Sequence, residues 1–145
     1  VIYLDTSVIA PFYWQEALSD AVEQLLRTEE QPGISQLVEV ELFSALSRRV
    51  RMGEISQPGA QAIAERFEAH LNDGFYTRMI VESHDYELAR QWIRRFETPL
   101  RTLDALHLAI AAAYEVRLVT ADQALVASAA VFGVEVQLLE PLIAS

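Results

Sequence analysis

The sequence contains no cysteine and no lysine. Without cysteine it has no disulfides, no thiolate metal sites and no thiol nucleophile, and it suits a reducing compartment. Without lysine it cannot run the phosphoryl chemistry that sets a lysine beside a phosphorylated aspartate. Positive charge is also scarce: eleven arginines stand against 21 acids, for a formal net charge of −10 and a pI of about 4.6. So acidic a protein does not hold nucleic acid through a broad positive field, and any such contact must be local. Long apolar runs are missing too, since none approaches the roughly 20 residues that span a bilayer. No basic leader precedes the strand-like segment at Val1, so a cytoplasmic protein is expected.

What remains is a chain of 145 residues, 52% hydrophobic, able to bury roughly two-thirds of its unfolded surface. It has no internal repeat and no linker long enough to divide it, so residues 1–145 are expected to form a single domain. Short runs rich in β-branched or aromatic residues read as strands: Val1 to Leu4, a piece at Ile34, Phe75 to Val81, Arg117 to Thr120, and Val134 to Leu139. The segments between them read as helices. Pro58 opens one that carries Ala62, Ile63, Phe67 and Leu71 before stopping at Asn72-Asp73-Gly74. Another starts at Ser83 or His84 and runs toward Arg95, with Leu88, Trp92 and Phe96 at intervals of four. Strands alternating with helices imply crossover connections, hence a mainly parallel sheet covered on both faces: a three-layer α/β/α sandwich. In such folds ligands gather outside the carboxyl ends of the strands, where the strand order reverses.

Several acids stand where apolar chain would be expected to continue. Asp5 ends the run Val1-Ile2-Tyr3-Leu4 and is followed by Thr6 and Ser7, as when a buried strand delivers ligands at its edge. Asp104 precedes Ala105 to Tyr114, a segment apolar nearly all round and therefore buried, so the acid faces a cleft or caps the helix. Asp122 follows the strand ending at Thr120 and reads equally as the N-cap of a helix from Gln123 to Phe132. Capping leaves a second carboxylate oxygen free, so the two roles are compatible. A fourth acid is Glu39 or Glu41: a helical projection favours Glu39, a helix start near Leu37 puts Glu39 in a solvent-facing first turn, and periodicity does not choose.

Two like charges at about 4 Å repel by about 4 kcal/mol at an effective dielectric near 20. Converging carboxylates therefore either take up protons or hold a divalent cation, and hard oxygen ligands select magnesium or manganese. Near a phosphodiester such ions activate water and stabilise the in-line displacement. The three histidines, His70, His84 and His107, form no zinc-spaced pair, and His107 reads as a hydrogen-bonded core residue. The arginines cluster at Arg48, Arg49 and Arg51 and again at Arg94, Arg95 and Arg101. They suit bidentate phosphate contacts, or serve as solvated helix faces.

Taken in order, the segments resemble the PIN-domain ribonucleases, most closely the VapC-type toxins of bacterial toxin–antitoxin pairs. The likeness spans nearly the whole chain and rests on four motifs. These are Ile2-Tyr3-Leu4-Asp5-Thr6-Ser7; Ser35 followed six residues later by Glu41-Leu42, with Ala45-Leu46, Arg48 and Gly53; Asp104 to Ala109; and Val119 to Asp122. The closing Phe132-Gly133-Val134-Glu135-Val136 matches in type. Each motif alone is common, and four in order are not. That register selects Glu41 over Glu39. The resemblance implies a Rossmann-like sheet and a magnesium- or manganese-dependent endoribonuclease acting on structured RNA such as tRNA or rRNA. It also implies a homodimer inhibited by a small VapB-like antitoxin. Asp5, Glu41, Asp104 and Asp122 would be the catalytic metal ligands, Ser7 and Thr120 supporting polar groups, and Arg48 and Arg49 the RNA contact.

Rival readings exist. A strand ending in aspartate also begins haloacid-dehalogenase-type phosphatases and response-regulator receivers, but both use a lysine, and the phosphatase pattern puts an acid where Ser7 stands. A PIN nuclease that processes RNA without an antitoxin, or a silent PIN-like module that only binds a partner, would share the fold.

Overall fold

The computed structural model describes residues 1–143, whose five strands form one all-parallel sheet in the order β3-β2-β1-β4-β5. The strands are β1 (Ile2–Leu4), β2 (Gly33–Ser35), β3 (Thr77–Met79), β4 (Arg117–Thr120) and β5 (Val136–Leu138). β1, β3 and β5 lie inside their expected runs, β4 fills its run completely, and β2 extends the piece at Ile34 by one residue on each side. β1 sits in the middle of the sheet, which is why Ile2, Tyr3 and Leu4 are all buried rather than alternating. The β3 edge instead exposes Thr77 and Arg78, a charged border that discourages pairing with another sheet. At Gly33 a side chain would strike the Met79 methyl group and stand 2.8 Å from the Ile2 carbonyl. Glycine is thus what lets β2 fit between its neighbours.

Seven helices cover the two faces: α1 (Thr6–Tyr13), α2 (Ser19–Thr28), α3 (Gln36–Arg51), α4 (Gln57–Asn72), α5 (Ser83–Arg94), α6 (Thr102–Tyr114) and α7 (Gln123–Phe132). α1 packs on α2 and α3, α3 on α4, and α5 on α6, while α7 lies over β4 and β5. The result is the expected three-layer α/β/α sandwich. α6 is the central helix, with every residue from Ala105 to Ala111 buried. Two expectations need correction. α6 begins at Thr102 with Arg101 as N-cap, so Asp104 stands in the first turn and is not the cap. Phe96 does not continue the apolar stripe of α5; it lies past the helix end, left-handed at φ 55°, and is 85% exposed. No helix among the described residues is long and apolar enough to cross a membrane.

The topology fixes where a site can form. The chain runs from β1 outward through β2 to β3, then returns to the other side of β1 for β4 and β5. The strand order therefore reverses between β1 and β4, and the crevice opens beyond Leu4 and Thr120.

Candidate active site

Asp5 enters this crevice directly from β1. Its backbone carbonyl receives the amides of Val8 and Ile9 and so starts α1, which leaves the side chain free of capping duty. Its Oδ1 accepts a hydrogen bond from Ser7 Oγ at 2.5 Å, and its Oδ2 accepts one from Thr120 Oγ1 at 2.5 Å. Asp5 is 5% exposed, and burial raises its carboxyl pKa above the ordinary value even though both hydroxyl bonds and the field of His107 pull it down. Ser7 and Thr120, the supporting residues expected from the sequence, thus hold the same carboxylate from two elements.

Glu41 comes from α3, where Ser35 acts as N-cap by accepting the Val38 amide. Its Oε1 accepts from Thr6 Oγ1 at 2.8 Å and from His107 Nε2 at 2.7 Å. Burial alone would raise this carboxyl; the hydrogen bond and field of His107, helped by Thr6, bring it below the ordinary value. Glu39 faces elsewhere, in a two-bond ion pair with Arg78 at the sheet edge. Periodicity leaves these two acids open; the packing gives them different partners.

Asp104 projects from the first turn of α6 and receives no hydrogen bond from the described residues. Burial raises its pKa, the Asp122 charge adds to this, and Asp5 and Glu41 add further, with His107 offsetting them. Four carboxylates from four separate segments therefore share one electrostatic neighbourhood. Asp122 is the N-cap of α7, as one of its two readings had it: Oδ1 accepts the amides of Ala124 at 2.9 Å and Leu125 at 3.3 Å. Its own amide is held by Thr120 Oγ1 at 3.1 Å.

The donor set suits a hard divalent cation: carboxylate oxygens only, gathered where burial and mutual repulsion oppose ionisation. Among the described residues no group of three or more His, Asp and Glu side chains is yet arranged to hold one ion. Three of the four carboxylates are instead turned onto their own donors, Asp5 onto hydroxyls, Glu41 onto Thr6 and His107 and Asp122 onto the α7 amides, while Asp104 has none among the described residues.

An open groove of about 990 Å³ leads away from Thr6, Ser7 and Glu41 along α3, past Ala45 and Arg48 to Met52. Arg48 lines it with an exposed side chain. Arg49 is less available, because its guanidinium pairs with Glu16 at 2.7 Å and Glu54 at 3.0 Å and lies over Trp14. Both arginines sit in the last turn of α3, where their charge complements the helix dipole. Four polar residues escaped the sequence reading as parts of the site: Tyr3, Thr6, Ser35 and, in its contact with Glu41, His107. Faint signals existed, namely a tyrosine inside an otherwise apolar strand and a histidine one helical turn beyond Asp104.

Residues 2–130 match the sequence profile of the PIN domain. No curated protein sequence matches the chain. Several solved structures share its fold. VapC20 of Mycobacterium tuberculosis, described as a sarcin-ricin loop cleaving toxin, is 20% identical with a TM-score of 0.70, covering 88% of this chain and 95% of that one. FitAcB of Neisseria gonorrhoeae is 18% identical with a TM-score of 0.72, covering 97% and 98%. VapBC2 of Rickettsia felis, solved on a DNA fragment from its promoter, is 16% identical with a TM-score of 0.69, covering 97% and 100%.

Proposed function

The chain belongs to the PIN domain family, and from that premise we propose that it is a metal-dependent endoribonuclease, the toxin of a toxin–antitoxin pair, hydrolysing structured RNA such as tRNA or rRNA. One observation carries the reading: Asp5, Glu41, Asp104 and Asp122 come from four segments around the strand-order reversal, and Asp104 feels the charge of the other three, with Asp5 and Asp104 held above their ordinary pKa. Such a site is poised to gain a cation. The four carboxylates would hold magnesium or manganese. When bound, the ion supplies Lewis acidity at the phosphodiester and makes the attacking water more acidic. The protein's part is placement. Ser7 and Thr120 fix Asp5, the α7 amides fix Asp122, and Arg48 offers a planar fork to a substrate phosphate in the groove.

The toxin assignment draws on the shared fold of VapC20, FitAcB and VapBC2 and on coverage of nearly their whole chains. A small VapB-like antitoxin, a homodimeric assembly, a single domain and a cytoplasmic location belong to the same proposal. Purified wild type and Asp5→Asn, incubated with tRNA and rRNA and followed by mapping of RNA ends, test it. Cleavage is expected with magnesium or manganese and a fall on the order of 100-fold or more in Asp5→Asn, since even outer partners of metal ligands cost about 10- to 100-fold. Full-rate cleavage in chelator would refute the metal-dependent reading.

A further inference from the structure

Behind Glu41 runs a line of buried hydrogen bonds. The Tyr3 hydroxyl lies 2.7 Å from Ser35 Oγ and 2.6 Å from His107 Nδ1, and His107 Nε2 lies 2.7 Å from Glu41 Oε1. Tyr3, Ser35 and His107 are all buried. The direction of each bond follows from which atoms have hydrogens to give. An ionised Glu41 only accepts, so Nε2 carries a hydrogen. In the neutral ring Nδ1 is then a bare acceptor, and Tyr3 donates to it. The Tyr3 oxygen receives the Ser35 hydroxyl hydrogen, and Ser35 Oγ receives the Val38 amide. Burial pushes the Tyr3 hydroxyl well above its ordinary pKa, so the hydrogen it must donate stays in place. Every group on the line is satisfied. The other tautomer would set a nitrogen lone pair against a carboxylate and leave the Ser35 hydroxyl with no acceptor among the described residues, a costly state for buried groups.

The line also closes on itself. Ser35 caps α3, the helix that carries Glu41, so the same chain of bonds fixes the backbone of that helix and the Glu41 side chain. Oε1 takes both donors, Thr6 and His107, and Oε2 receives none from the described residues. We propose that His107 is a positioning residue: Tyr3 and Ser35 fix its ring so that Nε2–H holds Oε1 of Glu41 and leaves Oε2 for the divalent cation. This rests on the metal-nuclease reading for what Glu41 serves, while the geometry of the line does not.

The test uses the full chain without metal and then with Mn²⁺ as probe. In ¹⁵N–¹H spectra of metal-free wild type, His107 should show a slowly exchanging Nε2–H and a pyridine-like Nδ1 when neutral, and Tyr3→Phe should broaden or mix these signals. In Mn²⁺ titrations His107→Leu should bind about 10-fold or more weaker, and His107→Gln, which keeps an N–H donor, should stay within about 3-fold of wild type, the scale of outer-shell losses. A merely structural histidine would give similar Mn²⁺ affinities in both variants. A neutral Nδ1–H ring in wild type overturns the proposal, as does a folded His107→Leu that binds Mn²⁺ normally. Should His107→Leu fail to fold, the wild-type spectrum and the Gln variant still decide. A wild type that shows the Nε2–H signature yet binds no Mn²⁺ overturns the metal reading and the purpose assigned to His107 with it. Normal binding by wild type and His107→Leu alike overturns the positioning role alone.

Discussion

Replacing Thr120 by valine keeps the shape of a fully buried side chain at the end of β4 and deletes one oxygen. That oxygen donates to Asp5 Oδ2 at 2.5 Å and accepts the Asp122 amide at 3.1 Å. A hydrogen bond to a charged group contributes about 1.5–3 kcal/mol, and a neutral one about 1 kcal/mol. At about 4 °C per kcal/mol for a domain of this size, the charged bond alone corresponds to a melting temperature lower by about 6–12 °C. The loss should also depend on pH. Asp5 has a folded-state pKa above its unfolded value, chiefly through burial, so this group costs the folded protein stability as pH rises through that raised pKa. The Thr120 bond lowers the pKa, and without it the value climbs and the ionised form is penalised more. Thr120→Val should therefore cost least at the acid end, where Asp5 is protonated in the folded state, and most above the raised titration. Thermal unfolding of metal-free wild type and variant measures this from acid to mildly alkaline pH, over a range that spans the titration of Asp5 in the folded state. A cost that is flat with pH, or largest at the acid end, would show that Thr120 does not hold an ionised Asp5.

Two further outcomes are expected. Asp122→Ala should lose about 1 kcal/mol of stability with its N-cap, whereas Asp122→Asn keeps an acceptor for the Ala124 and Leu125 amides; both should weaken Mn²⁺ binding measured by titration, and wild-type affinity in the Asn variant would make Asp122 a cap only. Arg48→Ala should weaken RNA binding and reduce the salt dependence by about one contact, with Arg49→Ala milder because Glu16 and Glu54 already engage that guanidinium; unchanged binding in Arg48→Ala would move the RNA to another surface.

Much of the fold was legible because burial writes itself into short stretches. Ile2-Tyr3-Leu4 is apolar because both faces of a central parallel strand are covered, and Ala105 to Ala111 is apolar because α6 lies in the middle of the molecule. The acids at the ends of such stretches, Asp5 and Asp104, stood out for the same reason. Glu41 did not, since a helix of mixed polarity presents two acids two positions apart, and periodicity leaves them open until the family register or the packing partners tell them apart. Arg78 claims Glu39, and Thr6 and His107 claim Glu41.

The sequence by itself determined the parallel α/β architecture, the strand-terminal aspartate and the lack of any lysine to support aspartyl-phosphate chemistry, because composition and local periodicity are enough for these. Only the tertiary structure decided that Tyr3, Ser35 and His107 form one line onto Glu41 and that Asp104 feels three other carboxylates. The physical reason is reach. Local pattern reports which face of an element is buried, but a hydrogen bond between residues 104 positions apart, such as that from Tyr3 to His107, exists only once the sheet has brought β1 and α6 together.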